Sequence, residues 1–267
     1  YVSPDGVYNQ INMNTLGKGA GQYIINQYDI IILGNTKDLI NIKQKKKAVV
    51  KKSAFVLGFP QYGSTEVPAL PATKVEVDAI AKLLKLSTYQ VTLYTDKNAT
   101  EANLKRMKSP GILHIATHGY FLQDVETGGF GVQLENAADN PLLRSGLLLA
   151  GAGKTIAGQA EPNLQSNDNG ILTAYEAMNL NLEGTDLIVL SACETGLGEV
   201  KAGEGVYGLQ RAFLVAGADA LIMSLWKVDD AATQLLMNNF YTNMVKLGNK
   251  QKAFKQAQLQ LMTKYKD

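Results

Sequence analysis

The sequence predicts an α/β protein whose core is a mostly parallel β-sheet. Apolar runs of strand length alternate along the chain with segments in which apolar residues recur every three or four positions. Alternation of this kind is typical of β and α units that wind around a parallel sheet. A length of 267 residues suits one large domain, or one domain with an added subdomain.

Five strands are predicted from apolar runs that end in glycine, proline or polar residues. They cover residues 55–59, 91–94, 112–117, 187–192 and 220–225. A further run at 28–33 either belongs to a small subdomain or extends the main sheet. Residues 123–170 are rich in glycine, asparagine, aspartate and glutamine, which predicts long surface loops around one short strand or hairpin at 147–149.

Helices are predicted between these strands and after the last of them. Thr73 and Glu76 lie three residues apart in the pattern of a capping box, which predicts that a helix begins there. A short helix is expected after Thr100, and another is expected to end near Gly217. Two amphipathic segments close to the C-terminal end are expected to cover the sheet.

The chain is expected to divide near residue 52. Residues 1–52 form an N-terminal subdomain or a sheet extension that ends in a lysine-rich linker, with six lysines between positions 43 and 52. Residues 53–267 form the main domain. The first residue is not methionine and the last lies directly after a helical pattern, so we expect a fragment of a longer protein.

Composition excludes several classes of function. Lysine and arginine number 26 against 24 aspartate and glutamate, and this balance gives no strong attraction to nucleic acid or anionic membranes. No apolar run approaches the roughly 20 residues that a membrane span needs. We therefore expect no direct nucleic-acid partner and no membrane partner. The single cysteine excludes a disulfide framework and favours a reducing, cytoplasmic compartment.

No metal or other cofactor is expected. The two histidines and one cysteine lack the paired spacing of a zinc site. The glycine-rich run 203–208 has neither the lysine of a phosphate-binding loop nor a ribose-binding acid after it, which disfavours nucleotide binding.

His118 and Cys193 directly follow the third and fourth predicted strands. Catalytic groups gather where parallel strands end, so these two side chains approach each other if their strands are neighbours. A histidine beside a thiol can accept its proton and later protonate a leaving amine. The backbone N–H groups of Gly119 and Cys193 would then form an oxyanion hole.

The residues alone leave other interpretations open. A single cysteine at a strand end is more often a small buried residue, and a His–Gly pair at a strand end is more often a turn. His114 lies within its predicted strand, where a hydrogen-bonded core residue is expected.

Three ordered blocks of sequence resemble the CHAT domain, a caspase-like peptidase domain that often follows tetratricopeptide repeats and is related to separase. The blocks are ILHIATHG at 112–119, LSACETG at 190–196 and GEG at 203–205, with further matches at 209–213, 216–218 and 225–230. The resemblance implies a caspase-like three-layer sandwich with a mostly parallel central sheet flanked by helices. It also implies an endopeptidase that cleaves a protein or peptide substrate, with Cys193 as nucleophile and His118 as general base and acid. Upstream tetratricopeptide repeats or a regulatory protein are expected to regulate the peptidase activity.

The resemblance to separase further implies cleavage after a basic residue whose side chain binds to Asp230. Asp229 and Glu194 are predicted to be substrate-binding residues of the same group. A carboxylate pairs bidentately with guanidinium, which favours arginine over lysine. Equally, Asp229 or Asp230 is expected to cap a helix that starts at Ala231. A catalytically silent caspase-like interaction module is the alternative function.

Overall fold

The computed structural model describes residues 1–19, 21–44, 51–121, 140–159, 168–192, 199–201, 205–226 and 228–265. Within these ranges the strands are β1 (Ser53–Pro60), β2 (Gln90–Asp96), β3 (Ile112–Ala116), β4 (Gly119–Phe121), β5 (Ser145–Leu148), β6 (Ile171–Thr173), β7 (Leu187–Ser191), β8 (Glu199–Lys201), β9 (Gly205–Tyr207) and β10 (Leu221–Met223). The helices are α1 (Ile24–Gln27), α2 (Asp38–Gln44), α3 (Pro71–Leu86), α4 (Glu101–Lys105), α5 (Ala152–Ile156), α6 (Ala174–Ala177), α7 (Leu209–Val215), α8 (Asp230–Leu247) and α9 (Lys250–Lys264). Short 3-10 helices cover Gly6–Gln10, Met13–Thr15 and Pro141–Leu143.

A parallel five-stranded sheet in the order β10-β7-β3-β1-β2 forms the centre of the protein. All five strands that the sequence predicts are present in it. Every residue of β3 and β7 is buried, because a parallel sheet has helices on both of its faces and its strands are apolar throughout. The predicted α/β class is confirmed.

Two hydrophobic clusters lie on opposite faces of this sheet, since successive strand residues point to opposite sides. Ile188 and Leu190 of β7 join one cluster, which contains residues of α4, α6 and α7. Leu187 and Val189 join the other, which contains residues of α3, α8 and α9. The result is a three-layer arrangement of helices, sheet and helices.

A small antiparallel sheet in the order β4-β5-β6 adjoins the main sheet. Its middle strand β5 confirms the short strand predicted near residues 147–149. The segments 122–139 and 160–167, where the sequence predicts long loops, lie outside the described residues.

The N-terminal segment differs from expectation at residues 28–33. Ile32 makes a single parallel bridge to Val2, so the strand predicted there is wrong. Tyr28 and Ile32 are exposed whereas Leu33 is buried, and a segment that is bridged at one residue and only partly covered has little to hold it in a sheet. None of the strands in the five-stranded sheet comes from the described part of residues 1–52. The domain division at residue 52 stays a prediction.

Helix α3 begins earlier than predicted. Pro71 occupies its first turn, and the hydroxyl of Thr73 donates to the carbonyl of Leu70 at 2.7 Å instead of capping the helix. Glu76 is buried rather than reaching back to an N-cap. Among the helices in the described ranges, none is long and apolar enough to cross a membrane.

Candidate active site

The two strands that precede His118 and Cys193 are neighbours in the sheet. Strands β3 and β7 pair in parallel register with Ala116 opposite Ser191. His118 and Cys193 each lie two positions beyond this aligned pair. Cys193 and Glu194 lie outside the described residues, so the separation of the two catalytic candidates stays a prediction.

The contact between the two strands continues beyond their last paired residues. The backbone N–H of Thr117 donates to the carbonyl of Ser191 at 3.3 Å. Ala192, the last described residue before Cys193, is buried. The segment that follows β3 is therefore fixed up to Thr117, directly before His118. The segment that follows β7 is fixed up to Ala192, directly before Cys193.

The imidazole of His118 is oriented by a loop carbonyl. Its Nε2 atom lies 2.8 Å from the carbonyl oxygen of Pro68. A carbonyl only accepts hydrogen bonds, so Nε2 carries a proton and Nδ1 is the basic nitrogen of the neutral ring. The ring also packs against Tyr62, with centroids 5.3 Å apart.

An ordered chain of hydrogen bonds lies behind His118. Its backbone N–H donates to the Tyr62 hydroxyl at 3.3 Å, and that hydroxyl lies 2.9 Å from the Thr117 hydroxyl, which donates to the carbonyl of Leu148. Because Thr117 uses its proton on Leu148, Tyr62 is the donor to Thr117. Burial raises the pKa of Tyr62 to about 12, against the opposing effect of its hydrogen bonds, so Tyr62 stays neutral near pH 7.

Gly119 is the first residue of β4 and pairs with Leu147. The N–H of Leu148 donates to the carbonyl of His118 at 2.9 Å. In an antiparallel ladder only alternate pairs exchange hydrogen bonds, so the pair Gly119–Leu147 is of the type that does not. The N–H of Gly119 therefore points away from β5, as an oxyanion donor requires.

Asp229 and Asp230 stand at the start of α8. The Asp229 carboxylate accepts from the N–H of Ala232 at 2.8 Å and caps the helix, which begins at Asp230. One of the two predicted roles is thus confirmed for Asp229, with a helix start one residue earlier than predicted. Asp230 is exposed in the first turn, and no ion pair joins it to another residue in the described ranges.

A buried polar network that sequence reasoning missed lies under the ends of β3 and β7. The Ser191 hydroxyl donates to Glu76 Oε2 at 3.1 Å, and Tyr241 O–H lies 3.1 Å from His114 Nδ1. Glu76 Oε1 lies 3.1 Å from His114 Nε2, which is ion-pair distance without good hydrogen-bond alignment. All four residues are buried. His114 is a hydrogen-bonded core residue, as predicted. The sequence did contain one indication of the wider network, because Glu76 lies four positions before Ile80 on the apolar face of its helix.

Potential metal ligands do not cluster in the part of the chain that the structure describes. No group of three or more histidine, cysteine, aspartate or glutamate side chains is placed there to hold an ion.

A five-stranded parallel sheet covered by helices on both faces, with a histidine and a cysteine following adjacent strands in sequence, defines an α/β protein of caspase-like architecture. The CHAT domain family model matches residues 1–267, and the chain belongs to that family.

Two curated relatives and one solved structure are similar to this chain. Tetratricopeptide repeat protein 28 from Mus musculus and its Homo sapiens counterpart are each 37% identical over 75 residues. These residues are 28% of this chain but only 3% of each relative. The crystal structure of gingipain R, described as an Arg-specific cysteine proteinase, aligns with a TM-score of 0.53 and 11% identity over 88% of this chain and 50% of its own. At this identity the likeness shows the fold, and the predicted caspase-like fold is confirmed.

Proposed function

We propose that this chain is a cysteine endopeptidase in which His118 and Cys193 act as a catalytic dyad. The observation that carries the proposal is the register of β3 with β7, because both residues follow the aligned pair Ala116 and Ser191 by two positions. Strand ends in parallel sheets are where catalytic groups converge, and a cysteine needs a neighbouring base to react at neutral pH.

The proposed mechanism uses both nitrogens of His118. Nδ1 takes the proton of the Cys193 thiol, and the thiolate attacks the scissile carbonyl carbon. The Pro68 carbonyl holds Nε2–H, which orients the ring and stabilises the imidazolium. The N–H groups of Gly119 and Cys193 bind the developing oxyanion. The imidazolium then protonates the leaving amine, and water hydrolyses the thioester to release the acid and the free thiol.

A preference for a basic residue before the scissile bond is proposed through Asp230. Its carboxylate is exposed in the first turn of α8, next in the chain after the edge strand β10. Asp229 and Glu194 are proposed to contribute negative charge to the same subsite. The structural neighbour gingipain R is an Arg-specific proteinase, which is consistent with this proposal.

Control by tetratricopeptide repeats or by a regulatory protein is proposed from the curated relatives, which are tetratricopeptide repeat proteins. A cytoplasmic location remains part of the proposal, because a lone cysteine nucleophile persists best where thiols stay reduced.

The test uses the fact that Cys193 is the only cysteine in the sequence. The rate of alkylation by iodoacetamide, measured against pH, reports the thiolate of Cys193 directly. We expect the wild-type thiol to titrate below its ordinary pKa of about 8.5, and His118→Ala to move it back towards that value. The same proteins are assayed on a library of peptides with arginine or lysine at each position.

Cys193→Ala and His118→Ala are expected to lower peptide cleavage by at least about 1,000-fold. Equal cleavage by wild type and Cys193→Ala would reject the nucleophile. A wild-type thiol with an ordinary pKa, unchanged by His118→Ala, would reject the dyad and favour the silent interaction module.

A further inference from the structure

A cavity of about 620 Å³ lies beside His118. Its wall consists of the last two residues of β1, residues of the loop between β1 and α3, and Asp96 at the end of β2. Two residues of this wall, Tyr62 and Pro68, also contact His118. The cavity therefore shares one side with the proposed general base.

The backbone is strained at two places in this wall. Phe59 and Asp96 have φ angles of 50° and 53°, in the left-handed region that residues with side chains avoid. The pairing of β1 with β2 also shifts register between Leu57 and Pro60. Backbone strain persists where the surroundings impose it and clusters at ligand sites, while register irregularities at strand ends redirect side chains.

The chemistry of the wall favours a cation. Asp96 contributes a carboxylate, and the described lining residues include no lysine or arginine. Tyr62, the other ionisable group, is kept neutral by its raised pKa. Lys154 packs its methylene carbons beside Gly63 but is not one of the lining residues.

We propose that this cavity is a second substrate subsite, in which Asp96 binds an arginine or lysine side chain of the peptide. The inference rests on the proposed peptidase function. Strands β3 and β2 are separated by β1, so their ends lie about 10 Å apart at the usual spacing of about 4.8 Å. An extended peptide covers that distance in about three residues. The recognised side chain lies that far from the scissile bond, on the opposite side from Asp230.

The experiment compares Asp96→Asn with Glu66→Gln in the full chain. Glu66 is exposed and belongs to the loop between β1 and α3, but it does not line the cavity. Glu66→Gln therefore removes one negative charge, as Asp96→Asn does, without changing the cavity wall. Asparagine tolerates positive φ better than most residues, and its amide oxygen can still accept the hydrogen bond from Thr95, so Asp96→Asn is expected to fold. Circular dichroism and urea unfolding verify this.

Peptides carry arginine at the proposed cleavage position and one additional lysine or arginine at two, three or four residues on either side of the scissile bond. We expect wild type to prefer one of these positions by about tenfold through a lower KM with unchanged kcat. Asp96→Asn loses the preference, and Glu66→Gln keeps it. A wild type without positional preference, or a preference that survives in Asp96→Asn, overturns the proposal.

Binding separates this inference from the proposed catalysis. The same fluorescein-labelled peptides are titrated into Cys193→Ala protein, with and without Asp96→Asn, and anisotropy is measured. An affinity loss of about tenfold with Asp96→Asn, for the doubly basic peptides alone, supports the subsite even if no peptide is cleaved. Equal affinity in the two proteins overturns the subsite even if the dyad is active.

Discussion

The hydroxyl groups of Tyr62 and Thr117 lie 2.9 Å apart in the buried wall behind His118. Tyr62 contacts His118 in two ways: its hydroxyl accepts a hydrogen bond from the backbone N–H of His118, and its ring packs against the imidazole. Tyr62→Phe keeps the ring but leaves the His118 N–H without this acceptor. We expect a loss of about 1 to 2 kcal/mol in the free energy of unfolding, measured by urea denaturation.

The same substitution tests whether the hydrogen-bond chain positions His118. If it does, kcat for peptide cleavage falls in Tyr62→Phe while KM changes little, because the base is less well oriented. Tyr175→Phe is the matched control, since Tyr175 is 51% exposed. Identical kinetics for Tyr62→Phe and wild type would show that the chain has no positioning role.

The buried network under β3 and β7 predicts a second loss of stability. Ser191→Ala removes the hydroxyl that donates to Glu76 Oε2 and leaves part of a buried carboxylate without its partner. Such groups cost about 1 to 3 kcal/mol, and we expect a destabilisation in that range. Urea unfolding provides the measurement.

Ser145→Ala is the control for this prediction. Ser145 is also buried, but its hydroxyl has no hydrogen-bond partner among the described residues. Its removal should cost little. Equal effects from the two serine substitutions would mean that the Ser191–Glu76 hydrogen bond contributes nothing specific.

The strands around the candidate site were predictable because they are continuously apolar. Both β3 and β7 are buried along their whole length, which is the property that a parallel sheet demands and that a sequence displays directly. The positions of His118 and Cys193 after those strands followed from the same patterns. That the two strands are neighbours required the structure, although the prediction of a dyad depended on it.

Long-range partners account for what the sequence did not reveal. Thr73 and Glu76 match a capping box, but Ser191 and His114 hold Glu76 in the core, and both are distant in sequence. The Pro68 carbonyl beside His118 was equally hidden, because a backbone acceptor has no sequence signature. Local patterns predicted the elements, whereas these contacts depend on tertiary packing.

The ion cluster between α4 and α6 predicts a dependence of stability on pH. Burial raises the pKa of Glu101 to about 7, even though Lys105 lies 2.5 Å from its Oε1 atom. The unfolded chain loses this proton near pH 4.5, while the folded chain keeps it up to about pH 7. The folded state binds more protons between these pH values than the unfolded state does. The contribution of Glu101 to the free energy of unfolding is therefore fully present below about pH 4.5 and is lost as pH rises to 7.

The measurement is urea unfolding of wild type, Glu101→Gln and Glu176→Gln between about pH 2.5 and 8, which spans both the raised and the lowered pKa. The difference between wild type and Glu101→Gln is expected to slope by at most about 1.4 kcal/mol per pH unit. Glu176→Gln is a control of opposite sign, because hydrogen bonds from Thr173 and Lys105 outweigh burial and lower the pKa of Glu176. Its stabilisation is present above the ordinary glutamate pKa and is lost as pH falls through the lowered value. A pH-independent difference for Glu101→Gln would contradict the shift.

Asp229 and Asp230 give a test that separates structure from substrate recognition. The Asp229 carboxylate caps α8 through the N–H of Ala232, so Asp229→Ala should cost about 1 kcal/mol of stability, and Asp229→Ser should restore most of it. Asp230 makes no such hydrogen bond in the described structure, and Asp230→Asn should cost only a few tenths of a kcal/mol from its favourable position at the helix N-terminus. If Asp230 binds the basic side chain, Asp230→Asn abolishes the preference for arginine and lysine in the peptide library, whereas Asp229→Ala only weakens it. A preference that follows Asp229 instead would assign the subsite to the capping residue and reject Asp230.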